Sequence, residues 1–191
     1  MKFLSSLIVL VGLAFTGYSQ GLIDLTLRYN IGQSRYEVYA RPTFSQANFN
    51  WGSAQVSVAA PASIANSPFV VTSVAGGGWD DVSQVYAPAV ASTLDFHGIG
   101  SQGKKIDLVT NQETLLFYFT LPQGNCVPGL RLYVNGSDPN SAGAGMQGGD
   151  FTNVVYTTST NQQQTNLYQA NYANTGTVCT VCNLVAPTLS K

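Results

Sequence analysis

Three cysteines are the residues whose type and spacing most directly suggest chemistry in this chain. Cys179 and Cys182 have the CxxC spacing that redox motifs and zinc sites share. A redox motif is expected to start a helix after its first cysteine, and a zinc site needs a second ligand pair. Neither pattern is present, and His97 is the only histidine. Since an odd number of cysteines cannot all pair within one chain, we expect Cys126 to bond to Cys179 or to Cys182. The remaining thiol would be free or bonded between subunits, and a Cys179–Cys182 bond is the third option.

A glycine-rich acidic loop from Asn135 to Asp150 is the candidate metal site. Asn135, Asp138 and Asp150, with Ser137 and Asn140, offer oxygen ligands of the kind that calcium prefers. Two carboxylates are few for such a site, and the regular DxDxDG spacing is absent. The favoured interpretation is therefore a loop in which Asp138 and Asp150 cap turns. No cofactor other than this calcium ion is predicted.

Enzymatic activity is not predicted from the carboxylates or from His97. Asp80 and Asp81 are adjacent, and adjacent residues of a strand point to opposite faces, which does not suit a pair of carboxylates acting in glycoside hydrolysis. No serine or cysteine stands in a nucleophile motif that would use His97, so we expect that side chain to be hydrogen-bonded and structural. We therefore expect a protein that is not an enzyme.

The elements that position these residues are predicted to be strands throughout. Apolar residues alternate with polar ones over 23–29 and again over 36–40, which predicts a hairpin. Residues 114–120 are apolar on both faces and predict a core strand, which we expect to pair with the strand at 130–134. No apolar residues recur at helical spacing over more than two turns. The chain is therefore predicted to be all-β, with a single antiparallel β-sandwich over 20–175.

The N-terminal segment, residues 1–19, has the pattern of a cleaved signal peptide. Lys2 precedes an apolar run over 3–15, and small residues at Gly17 and Ser19 favour cleavage before Gln20. The run is short for a membrane span, so we expect a secreted protein, extracellular or at the cell surface, without membrane insertion. Residues 176–191 form a C-terminal tail that carries the CxxC pair.

Charged residues are scarce, which narrows the classes of partner. They make up 9% of the chain, and the formal net charge is −1. No basic run is present that would neutralise phosphates, so nucleic acid is not a predicted partner. A surface with so little charge repels copies of itself only weakly, which suits self-association.

Several short motifs carry a resemblance to a known family. They are Leu27-Arg28-Tyr29, Arg35 to Pro42, Phe49-Asn50-Trp51, Gln84 to Pro88, Asp95 to Gly98, Cys126 to Leu132 and Gly148 to Phe151. Together they resemble the cohesin-like β-sandwich found near the start of secreted Bacteroidota surface proteins. The resemblance covers Leu22 to about Tyr172 and implies a cohesin-like or jelly-roll-like sandwich. It also implies a surface module that binds a protein or a glycan.

Two functions remain open. In the first, the protein is a structural subunit of an extracellular filament that assembles with its own copies by β-strand addition and with disulfides. Its assembly residues would be Leu184, Val185 and Leu189 of the tail and Leu25 and Leu27 of the first strand, which carry few blocking charges. Alternatively, the tail is not shared with a neighbouring copy and packs as the last strand of its own domain.

The second function is an adhesion module at the cell surface that binds a protein or a glycan. Aromatic side chains stack on sugars, and the candidates for such a face are Phe44, Phe49, Trp51, Trp79 and Tyr86. Aromatics in a sandwich more often belong to the core. Short length and the apolar tail favour the filament subunit over this alternative.

Overall fold

The computed structural model describes residues 21–158 and 164–179. The expected signal peptide, Cys182 and the tail residues Leu184, Val185 and Leu189 lie outside the described residues. Within the described residues, no helix is long and apolar enough to cross a bilayer. The described residues are almost entirely strand and turn, with short 3₁₀ turns at Ile31–Gln33 and Ala89–Ala91, so the all-β prediction is confirmed.

The structure contains thirteen strands in its described residues. They are β1 (Ile23–Asn30), β2 (Arg35–Pro42), β3 (Gln46–Phe49), β4 (Trp51–Pro61), β5 (Val70–Ser73), β6 (Trp79–Val85), β7 (Leu94–Ser101), β8 (Ile106–Leu108), β9 (Thr114–Thr120), β10 (Arg131–Leu132), β11 (Val154–Thr158), β12 (Gln164–Asn166) and β13 (Tyr168–Asn171).

Two sheets pack face to face. The first sheet has the order β13-β1-β2-β9-β5, and the second has the order β12-β11-β4-β7-β6, with β10 beside β4. Strands β3 and β8 form a small separate pair. Buried side chains of both sheets, among them Leu25 and Phe117 of the first and Val56 and Ile99 of the second, belong to one apolar core. The described residues therefore form a β-sandwich, antiparallel except where β13 runs parallel to β1.

The predicted hairpin is confirmed residue by residue. Leu25 lies opposite Ala40 and Leu27 opposite Val38 in an antiparallel register. Their side chains are buried, so this period-2 apolar face is the inner face of the first sheet. The Asn30 side chain caps the intervening turn by accepting the N–H of Gln33 at 3.1 Å.

The predicted core strand is present, but its predicted partner is wrong. Strand β9 lies between β2 and β5, and its residues Leu116, Phe117 and Phe119 are fully buried. The strand predicted at 130–134 is the short β10, which pairs with β4 in the opposite sheet. The connection after β9 crosses from one sheet to the other, which places Leu130 and Leu132 in the core from the other side.

The beginning of the first strand, which is predicted to lend itself to a neighbour, is paired on both sides, and its pairing with β13 covers Ile23 to Leu25. Strand β1 pairs with β2 on one side and with β13 on the other, and Leu25 and Leu27 are 0% and 5% exposed. The polar tract around Gln164–Asn171 supplies β12 and β13, although it shows no apolar alternation. Because β1 is an internal strand, deletion of residues 22–29 would remove part of the core instead of leaving a folded protein.

A second, smaller core lies on the other face of the second sheet. The chain from Tyr133 to Phe151 folds over this face and buries Phe96 and Val85 beneath Met146 and Phe151. Met146 and Phe151 are 0% and 1% exposed. The glycine-rich acidic loop is thus a cover for the sheet, held by apolar contacts on its inner side.

Candidate assembly interface

Four strands end the two main sheets within the part of the chain that the structure describes. Strands β5 and β13 end the first sheet, and β6 and β12 end the second. Strands β5 and β6 are neighbours on one side of the sandwich. An unpaired strand presents free N–H and C=O groups that another chain can bind, so monomeric proteins usually protect such edges.

Strand β5 is the least protected of the four edges. Its segment Phe69 to Val74 contains no charge, proline or glycine and is rich in β-branched residues. Phe69 and the partly buried Val71 pack into the core, whereas Val70 and Thr72 face outward. Val70 is 65% exposed and Val74 is 54% exposed. This uncharged edge is the candidate assembly interface.

The other edges carry features that hinder strand addition. Strand β6 has the exposed carboxylate of Asp80, and its register shifts in a bulge between Asp81 and Ser83. Strand β12 is only three residues long, and β13 is a short strand of polar character. Charge, bulges and shortness are common means of blocking an edge. These differences single out β5.

A buried carboxylate fixes the beginning of β5. Asp81 Oδ2 accepts the backbone N–H of Phe69 at 2.8 Å and lies 2.7 Å from His97 Nδ1. Gln84 Nε2 donates to Asp81 Oδ1 at 3.0 Å. The side chains of Asp81 and His97 are 0% and 1% exposed, so the pair is shielded from water. Asp81 and His97 thus tie the second sheet to the edge strand of the first, which accords with the structural role predicted for His97.

Aromatic stacking continues this connection into the core. The ring of Phe69 lies 3.7 Å from the His97 ring and nearly parallel to it, and 4.7 Å from the Phe119 ring. Tyr86 meets His97 edge-on at 5.8 Å. Such ring pairs each contribute about 0.5–1.5 kcal/mol beyond their buried area. The Phe69 end of β5 is therefore firmly held against the second sheet.

A second buried carboxylate holds the turn after β6. Asp95 is 1% exposed and accepts the N–H of Ala87 at 2.8 Å. Burial raises the pKa of Asp95, against the opposing effects of the Ala87 N–H and of His97. The pKa of Tyr86 is also raised, chiefly by burial and further by the nearby Asp81 and Asp95. These groups stabilise the local turn.

The outer face of the first sheet carries a layer of arginine and tyrosine that sequence reasoning missed. Arg28, Arg35 and Arg41 lie over the rings of Tyr39, Tyr118 and Tyr172, at 5.1, 3.8 and 3.8 Å. Each arginine also pairs with an acid, namely Glu113, Glu37 and Asp24 in turn. The polar residues of the first hairpin indicated an outward-facing polar surface in the sequence. The sequence did not show that Glu113 and Tyr172, from distant parts of the chain, would pair with its arginines.

The charges of this arginine–tyrosine layer are compensated within it. Burial raises the pKa of Glu37, but hydrogen bonds from Tyr39, Arg35 and Asn30 outweigh that effect and hold it below its ordinary value. Burial also raises the pKa of Glu113, but hydrogen bonds from Arg28 and Tyr172 outweigh it and hold that pKa below its ordinary value. Such pairing keeps the outer face close to neutral, so it presents little electrostatic barrier to a neighbouring molecule.

A disulfide joins Cys126 to Cys179, which decides between the pairings left open by the sequence. The two residues are 53 apart in the chain. Next to the bond, the Tyr36 hydroxyl accepts the N–H of Val127 and donates to its carbonyl, both at 2.7 Å. Cys182 takes no part in this bond. The disulfide therefore ties Cys179 to the connection that follows β9.

The predicted calcium ligands are engaged in capping turns. Both Asp138 carboxylate oxygens accept from Arg131, at 2.6 and 2.7 Å, and one also accepts the N–H of Val134. Asp150 accepts the N–H of Thr152, and this contact lowers the pKa of Asp150. Asn135 exchanges two hydrogen bonds with the backbone of Asn153. In the described ranges, no three His, Cys, Asp or Glu side chains are grouped to hold a metal. Calcium binding stays a prediction.

The aromatic residues considered for glycan stacking belong mainly to the core. Phe49, Trp51 and Trp79 are 4%, 2% and 4% exposed. Phe44 is partly buried against Phe49, with the ring centroids 5.4 Å apart. These residues therefore do not share an exposed face, in keeping with the core interpretation favoured for them.

Comparisons with protein families, with characterised proteins and with solved structures find no match to this chain. The fold and the candidate interface consequently rest on the residues and contacts described above. The cohesin-like resemblance stays a prediction carried by the sequence motifs.

Proposed function

We propose that this protein is a secreted, non-enzymatic structural subunit that builds an extracellular or cell-surface filament by β-strand addition between copies. The observation that carries the proposal is that β5, an uncharged strand, ends the first sheet, with Val70 exposed on it. Strand addition derives its affinity from main-chain hydrogen bonds and its specificity from alternate side chains. An edge of this composition that stayed exposed in a free monomer would be an aggregation hazard.

Export is supported by two independent features. Residues 1–19 have the pattern of a signal peptide. The Cys126–Cys179 disulfide is typical of proteins that leave the reducing cytosol. A secreted location also gives the unpaired Cys182 an oxidising environment, in which a disulfide between copies would strengthen each junction.

Low surface charge supports self-association. Charged residues make up 9% of the chain, and the arginine–tyrosine layer pairs its own charges. Copies of such a molecule approach one another without strong like-charge repulsion. Strand β5 is only four residues long. We therefore expect each contact between copies to need further weak contacts or a covalent bond in addition to the backbone hydrogen bonds of the added strand.

Electron microscopy of the chain starting at Gln20, concentrated under oxidising conditions, tests the proposal. We expect filaments, and we expect a Val70→Lys/Thr72→Lys variant to lose them, because lysine on an edge hinders pairing. Both side chains are exposed, so folding should be unaffected. Gln169→Lys, on the opposite edge of the same sheet, is the matched control and should still assemble. A mature protein that stays monomeric at high concentration, with and without calcium, would overturn the proposal.

The arginine–tyrosine layer favours one alternative, an adhesion module at the cell surface that binds a protein or a glycan. Tyrosine and arginine are enriched at recognition surfaces. If the mature protein is monomeric, binding to glycans and to surface proteins should be measured for Tyr118→Ala, which removes the ring beneath Arg35. Loss of binding in that variant would support this alternative.

A further inference from the structure

We infer that a cleft beside the glycine turn Gly76-Gly77-Gly78, between β5 and β6, binds a tetrahedral oxyanion, a sulfate or phosphate group. The cleft is lined by Ser73 to Gly78 and by Lys104 to Ile106, and its volume is about 550 Å³. This volume is in the usual range for sites that bind small molecules. Binding of this kind is a property of the single chain, so it goes beyond the proposed function and does not require filament assembly.

Two lysines supply positive charge to this cleft. Among the described residues, Lys104 and Lys105 are the only lysine or arginine side chains without a carboxylate partner, since each of the four arginines pairs with an acid. Both lysines are exposed. Asp107, two residues beyond Lys105, instead accepts the N–H of Asn48 at 2.7 Å. The cleft therefore carries two ammonium groups that are free to bind an anion.

The glycine turn adds backbone donors that lack an acceptor. The carbonyl of Ala75 accepts the indole N–H of Trp79 at 2.7 Å, and the carbonyl of Gly76 accepts the Ser101 hydroxyl at 2.9 Å. By contrast, the N–H groups of residues 76–78 find no acceptor among the described residues. Successive free N–H groups of a turn can form a concave site for an anion. An oxyanion bound in the cleft would supply the acceptor that these groups lack.

The glycine turn is held in place by the core and stays open on one side. The N–H of Ala75 donates to the Leu116 carbonyl at 2.9 Å. Gly77 has a φ of 115°, and a Cβ at this position would lie 2.5 Å from Ser101 Oγ, so only glycine fits there. A Cβ on Gly78, however, would meet no atom within 4 Å. The turn is thus fixed beside Ser101 and open at Gly78, where a ligand can approach.

A buried indole N–H adds to the unpaired donors at the turn. Trp51 is 2% exposed, and its Nε1 has no hydrogen-bond partner among the described residues. The ring packs against the turn, since a Cβ on Gly76 would lie 3.2 Å from Nε1. An excess of donors favours an anion over a cation. Two ammonium groups and three backbone N–H groups suit an anion with two charges and several oxygens, so sulfate or phosphate fits better than a carboxylate.

Nuclear magnetic resonance of the ¹⁵N-labelled chain starting at Gln20 tests the site. Sodium sulfate replaces sodium chloride at constant ionic strength, and the amide resonances of residues 76–78 should shift to saturation as their N–H groups gain an acceptor. Lys104→Gln/Lys105→Gln should raise the Kd for sulfate by about tenfold or more, because charge-assisted hydrogen bonds are lost. Gln123→Glu/Gln169→Glu is the matched control. It changes the net charge equally at exposed positions outside the cleft and should bind nearly as the parent chain does.

Calorimetry with different probes distinguishes a free ion from a group carried by a polysaccharide. Inorganic sulfate, inorganic phosphate and dextran sulfate are compared, with uncharged dextran as the control. Tighter binding of dextran sulfate per sulfate group would identify a polysaccharide, and equal binding would identify the free ion. Both results support an oxyanion site.

Three results would overturn the inference. The resonances of residues 76–78 could stay unchanged with every probe, the lysine double variant could bind like the parent chain, or the charge-matched control could lose binding to the same extent. Failure to form filaments would overturn the proposed function alone, since these measurements use the unassembled chain.

Discussion

Asp81, a residue of the second sheet, accepts the backbone N–H of Phe69 at the start of β5 in the first sheet, at 2.8 Å. The same oxygen lies 2.7 Å from His97 Nδ1. One buried carboxylate thus joins the two layers on the side where both sheets end. At the other end of β5, Ser73 Oγ accepts the backbone N–H of Trp79, the first residue of β6, at 2.7 Å.

Removing this carboxylate should destabilise the fold. Asp81→Ala leaves buried donors on Phe69 and His97 without a partner, and each such group costs about 1–3 kcal/mol. We expect a lower free energy of unfolding by at least about 2 kcal/mol, measured by urea denaturation. Asp80→Ala, exposed on the same strand, should change it by less than about 0.5 kcal/mol. Equal effects of the two substitutions would show that the Asp81 contacts contribute little.

The disulfide should contribute substantially to stability. Linking residues 53 apart removes about 4 kcal/mol of chain entropy from the unfolded state. Cys179→Ser should therefore lower the melting temperature under oxidising conditions, whereas Cys182→Ser should leave that of the monomer unchanged. Digestion without reduction should yield a peptide that joins Cys126 to Cys179. Free thiols at both positions in the extracellular protein would contradict this pairing.

Calcium should not stabilise the acidic loop if turn capping is the role of Asp138. Arg131 and the N–H of Val134 already occupy its carboxylate. We expect the same melting temperature in a chelator and in millimolar calcium. A higher melting temperature in calcium than in the chelator would instead indicate stabilisation by a bound ligand and would support the calcium site. Asp138→Ala should destabilise by about 1.5–3 kcal/mol in both conditions, the usual range for a hydrogen bond to a charged group.

Two tyrosines should titrate late in the folded protein. Burial raises the pKa of Tyr36 to about 12, and burial together with Glu37 raises the pKa of Tyr39 to about 12. Because the folded state holds these protons more tightly, the stability they contribute is complete below about pH 10 and is lost between about pH 10 and 12. Absorbance at 295 nm after rapid pH jumps measures the titration before unfolding. The urea-unfolded chain is the reference, and Tyr36→Phe should remove one late group. Uniform titration near pH 10 in the native protein would contradict this expectation.

The alternation of apolar and polar residues was enough to predict the strands whose two faces differ in polarity. The alternation in β1 and β2 predicted their hairpin and inner face, since burial on one side of a strand imposes a period of two. The aromatic run of β9 predicted a core strand because it is apolar on both faces. The cysteine count limited the disulfide to a few pairings, of which the structure contains one.

Pairing between distant segments was decided only by the tertiary structure. The residue pattern of a strand indicates how much of the strand is buried but not which strand lies beside it. For this reason β10 was predicted to pair with β9, whereas it pairs with β4 in the other sheet. The polar β13 pairs through its backbone with β1, and its side chains carry no sign of that contact. Ile23 to Leu25, expected at a free edge, is thereby internal, because backbone hydrogen bonds are indifferent to side-chain type.

The candidate interface at β5 could be predicted from the sequence only in part. The sequence of Phe69 to Val74 is uncharged and rich in β-branched residues, which is typical of a strand. Strand β5 ends its sheet because β9 has β2 on its other side. Its anchorage depends on Asp81 of the second sheet bonding Phe69 across the sandwich. Sequence therefore determined the chemistry of this edge. Only the packing of the two sheets decided that it is exposed, because exposure depends on which strands are left without a neighbour.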